Sequence, residues 1–107
     1  MTKKELEAQL ESIGLPVAYK RFKKPPSPPF ITYLRTSSEN ISSDFKVHGK
    51  KPTYAIELYT NDEDPVTEAK VEAILENIDP DYTTDETYID SEKLFEVRYE
   101  IEIIDRR

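Results

Sequence analysis

Few side chains in this sequence have the types and spacing that catalysis requires. His48 is the one histidine, so a nucleophilic triad would have to be built around it. It lies in a polar stretch without a nucleophile motif, and we interpret it as a surface histidine. The chain contains no cysteine, which excludes disulfides, thiolate nucleophiles and cysteine-bound zinc. Its two glycines, Gly14 and Gly49, cannot form a phosphate-binding glycine loop.

An acidic run from Asn61 to Pro65 is the candidate for a metal site. It lacks the spacing and the glycine of a calcium-binding loop. Asp64 and Pro65 instead match the cap and the first residue of a helix, where the helix dipole favours acidic side chains. We therefore predict a helix start here and no catalytic, cofactor-binding or metal-binding residues. A carboxylate-based enzyme is the alternative that the many acidic residues leave open.

Residues 20–29 combine positive charge with proline. The basic side chains are Lys20, Arg21, Lys23 and Lys24. This cluster is too small, in an acidic chain, to predict nucleic-acid binding as the main activity. Four prolines follow between Pro25 and Pro29, and a proline segment beside lysines is the type of ligand that SH3 domains bind. A stiff connection between two strands explains the same residues, so a proline-motif adaptor is one alternative function.

The last strand is the element that organises the predicted fold. Between Leu94 and Ile104, apolar and charged residues alternate, as in a strand with one buried face and one face in water. The predicted buried row consists of Phe95, Val97, Tyr99, Ile101 and Ile103. At about 3.4 Å per residue this strand spans roughly 35 Å, so shorter strands can pair along it.

The remaining elements are shorter. A capping box at Thr2 starts a first amphipathic helix that Gly14 ends, and a second runs from Asp64 to Asp79. Further strands are predicted at residues 17–22, 30–35, 53–60 and 87–90. We predict an α+β fold in which a single antiparallel sheet of four to five strands carries both helices on one face.

The chain of 107 residues forms a single domain, and its charged fraction of 35% predicts a well-solvated surface. No apolar run is long enough to span a membrane, so we expect the cytoplasm. Residues 36–51 are polar, with isolated Ile41, Phe45 and Val47. This segment is predicted to be a loop or projecting arm. Its apolar residues either dock on a partner or pack on their own domain.

Charge is distributed unevenly along the chain. Residues 1–51 contain 10 Lys/Arg and 5 Asp/Glu, whereas residues 52–107 contain 5 and 17. If the two halves also separate in space, the basic side of one subunit can face the acidic side of the next. Such a head-to-tail contact closes into a ring or extends into a filament. The alternative is that both halves mix in one sheet.

Several short blocks carry a resemblance through their order and spacing. They are Pro29–Tyr33, Asp44–Val47, Tyr54–Thr60, Val71–Leu75, Tyr88–Phe95 and Tyr99–Glu100. Together they cover most of the chain, which resembles the tail-completion or tail-terminator proteins of long-tailed bacteriophages and prophages, especially those of Gram-positive hosts.

The resemblance implies a structural protein without chemistry. Such a protein forms a hexameric ring on the finished tail tube, stops its growth and presents a surface to the head connector. The implied partners are other copies of the chain, the tail-tube protein and the head-completion protein, and the isolated subunit can remain a monomer. DNA would pass through an acidic lumen without specific binding, because phosphates and carboxylates repel each other. The implied location is the host cytoplasm during assembly and then the tail or neck of the virion.

The resemblance supplies no fixed functional residues, so the expected interfaces rest on local patterns. These are the arm, the basic strand end and the acidic turn before the second helix. The expected interface residues are Lys20, Arg21, Lys23, Lys24, Ile41, Asp44, Phe45, Val47, Asp62 and Glu63. Another head–tail connector protein of the same virion is the second alternative function.

Overall fold

Two long strands form the centre of the sheet in the computed structural model, which describes residues 1–106. The elements are α1 (Lys3–Glu11), β1 (Val17–Tyr19), β2 (Phe30–Ser43), β3 (Lys46–Thr60), α2 (Pro65–Ile78), β4 (Thr83–Ile89), β5 (Leu94–Glu102) and β6 (Asp105–Arg106). The strand order is β1-β2-β3-β5-β4, and β6 pairs with the arm end of β3. The α+β class is confirmed.

The predicted antiparallel sheet of four to five strands is corrected in two respects. The sheet has six strands, and β1 runs parallel to β2 while the other pairs are antiparallel. The parallel pair arises because residues 20–29 carry the chain back across the sheet, and parallel neighbours need such a crossover. The sixth strand is the two-residue β6, which is too short to give a pattern in the sequence.

The core lies between the two helices and one face of the sheet, called here the helix face. Buried strand side chains on this face are Ile31, Tyr33, Tyr54, Ile56, Leu58, Val97, Tyr99 and Ile101. Leu6 and Leu10 of α1 and Val71 and Leu75 of α2 are fully buried in the same cluster. Removing such a side chain from water contributes about 1.5 to 3 kcal/mol. The predicted row on β5 is thus confirmed as core, except that Phe95 is only half-buried.

The helix ends form as the sequence predicted. The Thr2 and Glu5 side chains each accept the other residue's backbone N–H at 3.2 Å, which completes the capping box. Gly14 has a φ of +95°, the left-handed conformation that glycine adopts without strain. Asp64 accepts the Thr67 backbone N–H at 3.1 Å, directly before Pro65 at the start of α2.

Residues 36–51 form a β-ribbon, called here the arm. The sequence predicted a loop or a projecting arm here, and the structure has paired strand ends in place of a loop. The ends of β2 and β3 pair as far as Ser43 and Lys46, and Asp44 and Phe45 form the tip. Backbone hydrogen bonds hold this ribbon rather than apolar burial, since most of its side chains are exposed. A strand without a buried face lacks the alternation by which sequence reveals strands.

Two segments of opposite charge lie on opposite sides of the central strand β3. β1 and β2 lie on one side of β3, and β5 and β4 lie on the other. Residues 17–43 contain five Lys/Arg and one Asp/Glu, whereas residues 79–93 contain six Asp/Glu and one Lys. These two segments of opposite net charge therefore lie on opposite sides of β3, while β3 itself contains residues of both halves and its basic start pairs with β6.

Candidate functional site

The face of the sheet opposite the helices, called here the open face, carries a groove of about 310 Å3. Its floor is aromatic. Phe30 stacks on Tyr59 with ring centroids 4.9 Å apart, and Phe22 meets the edge of Phe30 at 5.4 Å. Alternation along β2 and β3 directs Phe30 and Tyr59 away from the core, because their neighbours Ile31 and Leu58 point toward the helices.

The walls of the groove carry opposite charges. The connection from β1 to β2 forms one wall and contributes Lys20 and Arg21. The turn from β4 to β5 forms the other wall and contributes Glu92, with Ile89 and Leu94 beside it. The basic cluster of the first half thus lies across the groove from an acidic residue of the second half. A ligand of this groove would combine an apolar group with charges of both signs.

Two carboxyl groups, those of Glu57 and Glu96, lie beside the aromatic floor. Glu96 is the cross-strand partner of Tyr59, and Glu57 shares the open face two residues away. The Thr32 and Tyr59 hydroxyls donate to Glu57 at 3.5 and 3.4 Å. A hydrogen bond with Glu57, helped by burial, raises the pKa of Glu96 to about 7. Glu96 therefore exchanges its proton closer to neutral pH than an ordinary glutamate does.

Sequence reasoning missed this pair. The alternation along β5 placed Glu96 among the residues in water, and nothing in the sequence linked it to Glu57. The two positions become neighbours only through the register that pairs Tyr59 with Glu96 and Glu57 with Arg98. Arg98 lowers the pKa of Glu96, an effect smaller than the rise that Glu57 causes. A carboxyl group whose pKa is raised by a neighbouring carboxyl group is a common arrangement for acid–base chemistry.

The histidine of the chain lies away from this pair. His48 lies on the arm, where its Nε2 is 2.8 Å from the Ser43 hydroxyl and exposed to solvent. Across residues 1–106, no group of three or more His, Asp or Glu side chains is arranged to hold a metal ion. The geometry of the groove suits recognition of another molecule, because it offers an apolar floor between charged walls.

The expected interface residues fall into two groups. Lys20, Arg21, Lys23 and Lys24 are exposed in the connection at the groove, and Asp62 and Glu63 are exposed in the turn that follows β3. Ile41, Asp44, Phe45 and Val47 lie in the arm. The first group lies near the end of β3 and the second near its beginning, so one chain does not bring them together.

The arm tip has an unusual backbone. Asp44 and Phe45 have φ values of +50° and +62°, a region that favours glycine. Two such residues in a two-residue hairpin correspond to a type I′ turn, for which Asp-Gly and Asn-Gly are the usual sequences. The Phe45 side chain is fully exposed, so nothing in its own chain covers it.

The proline segment packs against its own domain. Pro26, Pro28 and Pro29 are half-buried, and Pro25 lines the groove. Pro28 and Pro29 also border a shallow depression beside the turn before α2. This packing agrees with a stiff connection between β1 and β2, which was the alternative to an SH3 ligand.

A scan against protein-family models and a search of curated proteins found no match to this chain. Function is therefore inferred from the resemblance described above, the fold and its surfaces. Neither helix of the described residues is long and apolar enough to cross a membrane.

Proposed function

We propose that this chain is a structural tail-completion protein of a long-tailed bacteriophage or prophage. Copies of it form a hexameric ring on the end of the tail tube, stop its growth and provide the surface that joins the head connector. Assembly takes place in the cytoplasm of the bacterial host, and the ring remains in the tail or neck of the virion. The chain performs no chemical reaction in this role.

The observation that carries the proposal is that the two ends of the molecule present different surfaces. An exposed arm projects at one end of β3, and a groove with charged walls lies at the other end. The molecule measures 51 × 27 × 23 Å, so the long axis separates these surfaces. Two different surfaces on one subunit support a head-to-tail contact, which is the type of contact that builds rings.

Charge supports the same mode of assembly. The basic connection between β1 and β2, residues 20–29, lies on one side of β3, and the acidic strand β4 forms the opposite edge of the sheet. Nearly all of β4 is exposed, so its unpaired edge and its carboxylates are accessible to a neighbour. Opposite charges on opposite sides favour the approach of subunits in one orientation.

The acidic surplus also suits a ring around DNA. The chain carries a net charge of -7, so a ring of copies is strongly negative. Carboxylates that face the lumen repel phosphates and let DNA pass without binding.

Negative-stain imaging of the purified protein with and without tail tubes tests the proposal. We expect rings at one end of the tubes, formed less readily as salt rises from about 0.15 M to 1 M, because the Debye length falls from about 8 Å to about 3 Å. Tubes whose ends stay bare at every protein concentration would refute it.

Charge reversal tests the basic cluster within this scheme. Changing Lys20, Arg21, Lys23 and Lys24 to glutamate should slow or abolish ring formation at low salt, because it removes the attraction to acidic neighbours. The four side chains are exposed, so the variant should remain folded by circular dichroism. Lys70→Glu, on the exposed side of α2, is the control for a change of charge elsewhere. Ring formation by the charge-reversed variant as fast as by the parent would show that the basic cluster has no role in assembly.

A further inference from the structure

Phe45 occupies a position that is unfavourable for phenylalanine in its backbone conformation and in its exposure. Its φ of +62° is strained for a residue with a side chain. Its ring is also fully exposed to water. Glycine at this position would relieve the strain and complete the usual Asp-Gly hairpin turn. Folding therefore gives no reason for phenylalanine here, and strained residues kept in such places commonly serve recognition.

The groove on the open face is a matching receptor. Its floor consists of the rings of Phe22, Phe30 and Tyr59, with Ile89 and Leu94 at one side. A volume of about 310 Å3 is at the lower end for ligand pockets, which suits one aromatic side chain and its neighbours. Aromatic rings pack on each other in stacked or edge-on geometry, as Phe22, Phe30 and Tyr59 already do.

Charges flank the ring and the groove in a complementary way. Asp44 precedes Phe45 and Lys46 follows it, so the tip carries one charge of each sign beside the aromatic ring. The groove has Lys20 and Arg21 on one wall and Glu92 on the other. A tip seated in the groove can place Asp44 toward the basic wall and Lys46 toward the acidic wall. The opposite orientation would bring like charges together.

The tip and the groove of one chain cannot meet. Phe45 precedes β3 and Tyr59 lies near its end, and at about 3.3 Å per residue the 14 steps between them span roughly 46 Å. This length agrees with the long dimension of 51 Å. A tip that enters a groove must therefore come from another copy, and the contact joins two different surfaces. Repeating it produces a ring or a filament rather than a closed dimer.

We propose that the arm of one copy inserts Phe45 into the open-face groove of the next copy, between the Lys20–Arg21 wall and Glu92. The inference rests on the proposed ring and names the contact that joins its subunits. One side chain and its neighbours bury far less than the roughly 1,200 Å2 of a stable interface. In solution this contact alone is therefore weak and transient, and it becomes stable when a tail tube holds several copies side by side.

Phe45→Gly separates this role from folding. The variant should unfold at the same temperature as the parent or higher, because strain at the tip is removed. Ring formation on tail tubes should require a protein concentration about tenfold or more above that of the parent, because the buried ring is lost. Phe45→Leu, which keeps an apolar side chain, should assemble better than Phe45→Gly. Val66→Gly removes another exposed apolar residue and is the control for assembly. Assembly of Phe45→Gly at the parent's concentration would overturn the inference.

Disulfide trapping locates the contact directly, since the chain has no cysteine of its own. We expect Phe45→Cys mixed with Ile89→Cys to form a covalent dimer under oxidation, because a disulfide needs Cα atoms within about 7 Å. Phe45→Cys mixed with Val66→Cys is the control pair and should give little dimer. Equal yields of covalent dimer from the two mixtures would refute the contact between Phe45 and the groove.

The two proposals fail in different ways. Rings on tail tubes without the specific cross-link would leave the proposed function standing and refute the arm contact. A specific cross-link in the absence of rings on tubes would support the arm contact between copies and refute the tail-completion function.

Discussion

The carboxyl groups of Glu57 and Glu96 should make the stability of this fold depend on pH near neutrality. The ordinary pKa of a glutamate is 4.5, and the hydrogen bond with Glu57 together with burial raises that of Glu96 to about 7. Below pH 4.5, Glu96 is protonated in both the folded and the unfolded chain. Between pH 4.5 and 7 the folded chain keeps this proton while the unfolded chain loses it. The contribution to stability is therefore lost as pH rises through about 7.

The size of the effect follows from the pKa. A rise from 4.5 to about 7 corresponds to about 3 kcal/mol at full effect. Glu96 is only partly buried, and water that reaches the pair screens the interaction. We expect about 1 to 2 kcal/mol, so the free energy of unfolding should be lower at pH 8 than at pH 5 by that amount. Glu57→Gln removes the largest cause of the raised pKa and should make this difference smaller by about 1 kcal/mol, while the part due to burial remains.

Urea unfolding of the parent and Glu57→Gln at both pH values measures the effect. Other groups also contribute, including Glu68, whose pKa is raised by burial and then by Glu86. These contributions cancel when the two proteins are compared at each pH. Glu102→Gln, an exposed substitution on β5, is the matched control and should behave like the parent. If Glu57→Gln loses as much stability as the parent between pH 5 and pH 8, the coupling between the two carboxyls is refuted.

Three further outcomes are expected. Tyr99→Ala or Ile101→Ala should lower the free energy of unfolding by about 2 to 5 kcal/mol, whereas exposed Glu100→Ala should lower it by less than about 0.5 kcal/mol. Equal losses for the three variants in urea unfolding would contradict the assignment of Tyr99 and Ile101 to the core. Gly49→Ala should detach β6, because the Cβ of the new alanine would lie 2.6 Å from the Asp105 carbonyl oxygen. Unchanged NMR chemical shifts of the β6 residues would contradict this. In the monomer, amides of the arm should exchange faster than those in the buried half of β3, because the arm has little apolar burial; equal protection would contradict this.

Local signals made much of the fold predictable. The capping box at Thr2 and the Asp64-Pro65 helix start are short-range patterns, and both appear as expected. The alternation along β5 identified the buried row because period two holds wherever one face of a strand is buried. The direction of β1 was missed, since strand direction depends on the path of the connection and not on the strand's residues.

The candidate site was predictable only in part. Phe45 and the basic cluster were visible as isolated apolar and charged residues outside the predicted core. The groove was hidden because Phe22, Phe30 and Tyr59 come from three segments that only the strand order brings together. The Glu57 and Glu96 pair was hidden for the same reason, since it depends on the register between β3 and β5. Sequence patterns indicate which face of a strand a residue occupies, but they do not determine which residue of the next strand lies beside it.

The growth of tail tubes tests the proposed function most directly. Tail-tube protein is assembled into tubes, the purified chain is added, and tube lengths are then measured by electron microscopy after more tail-tube protein is supplied. We expect tubes that carry a ring to keep their length, while tubes without the chain continue to grow. Continued growth of tubes at the same rate with a saturating amount of the chain would contradict a role in ending the tail.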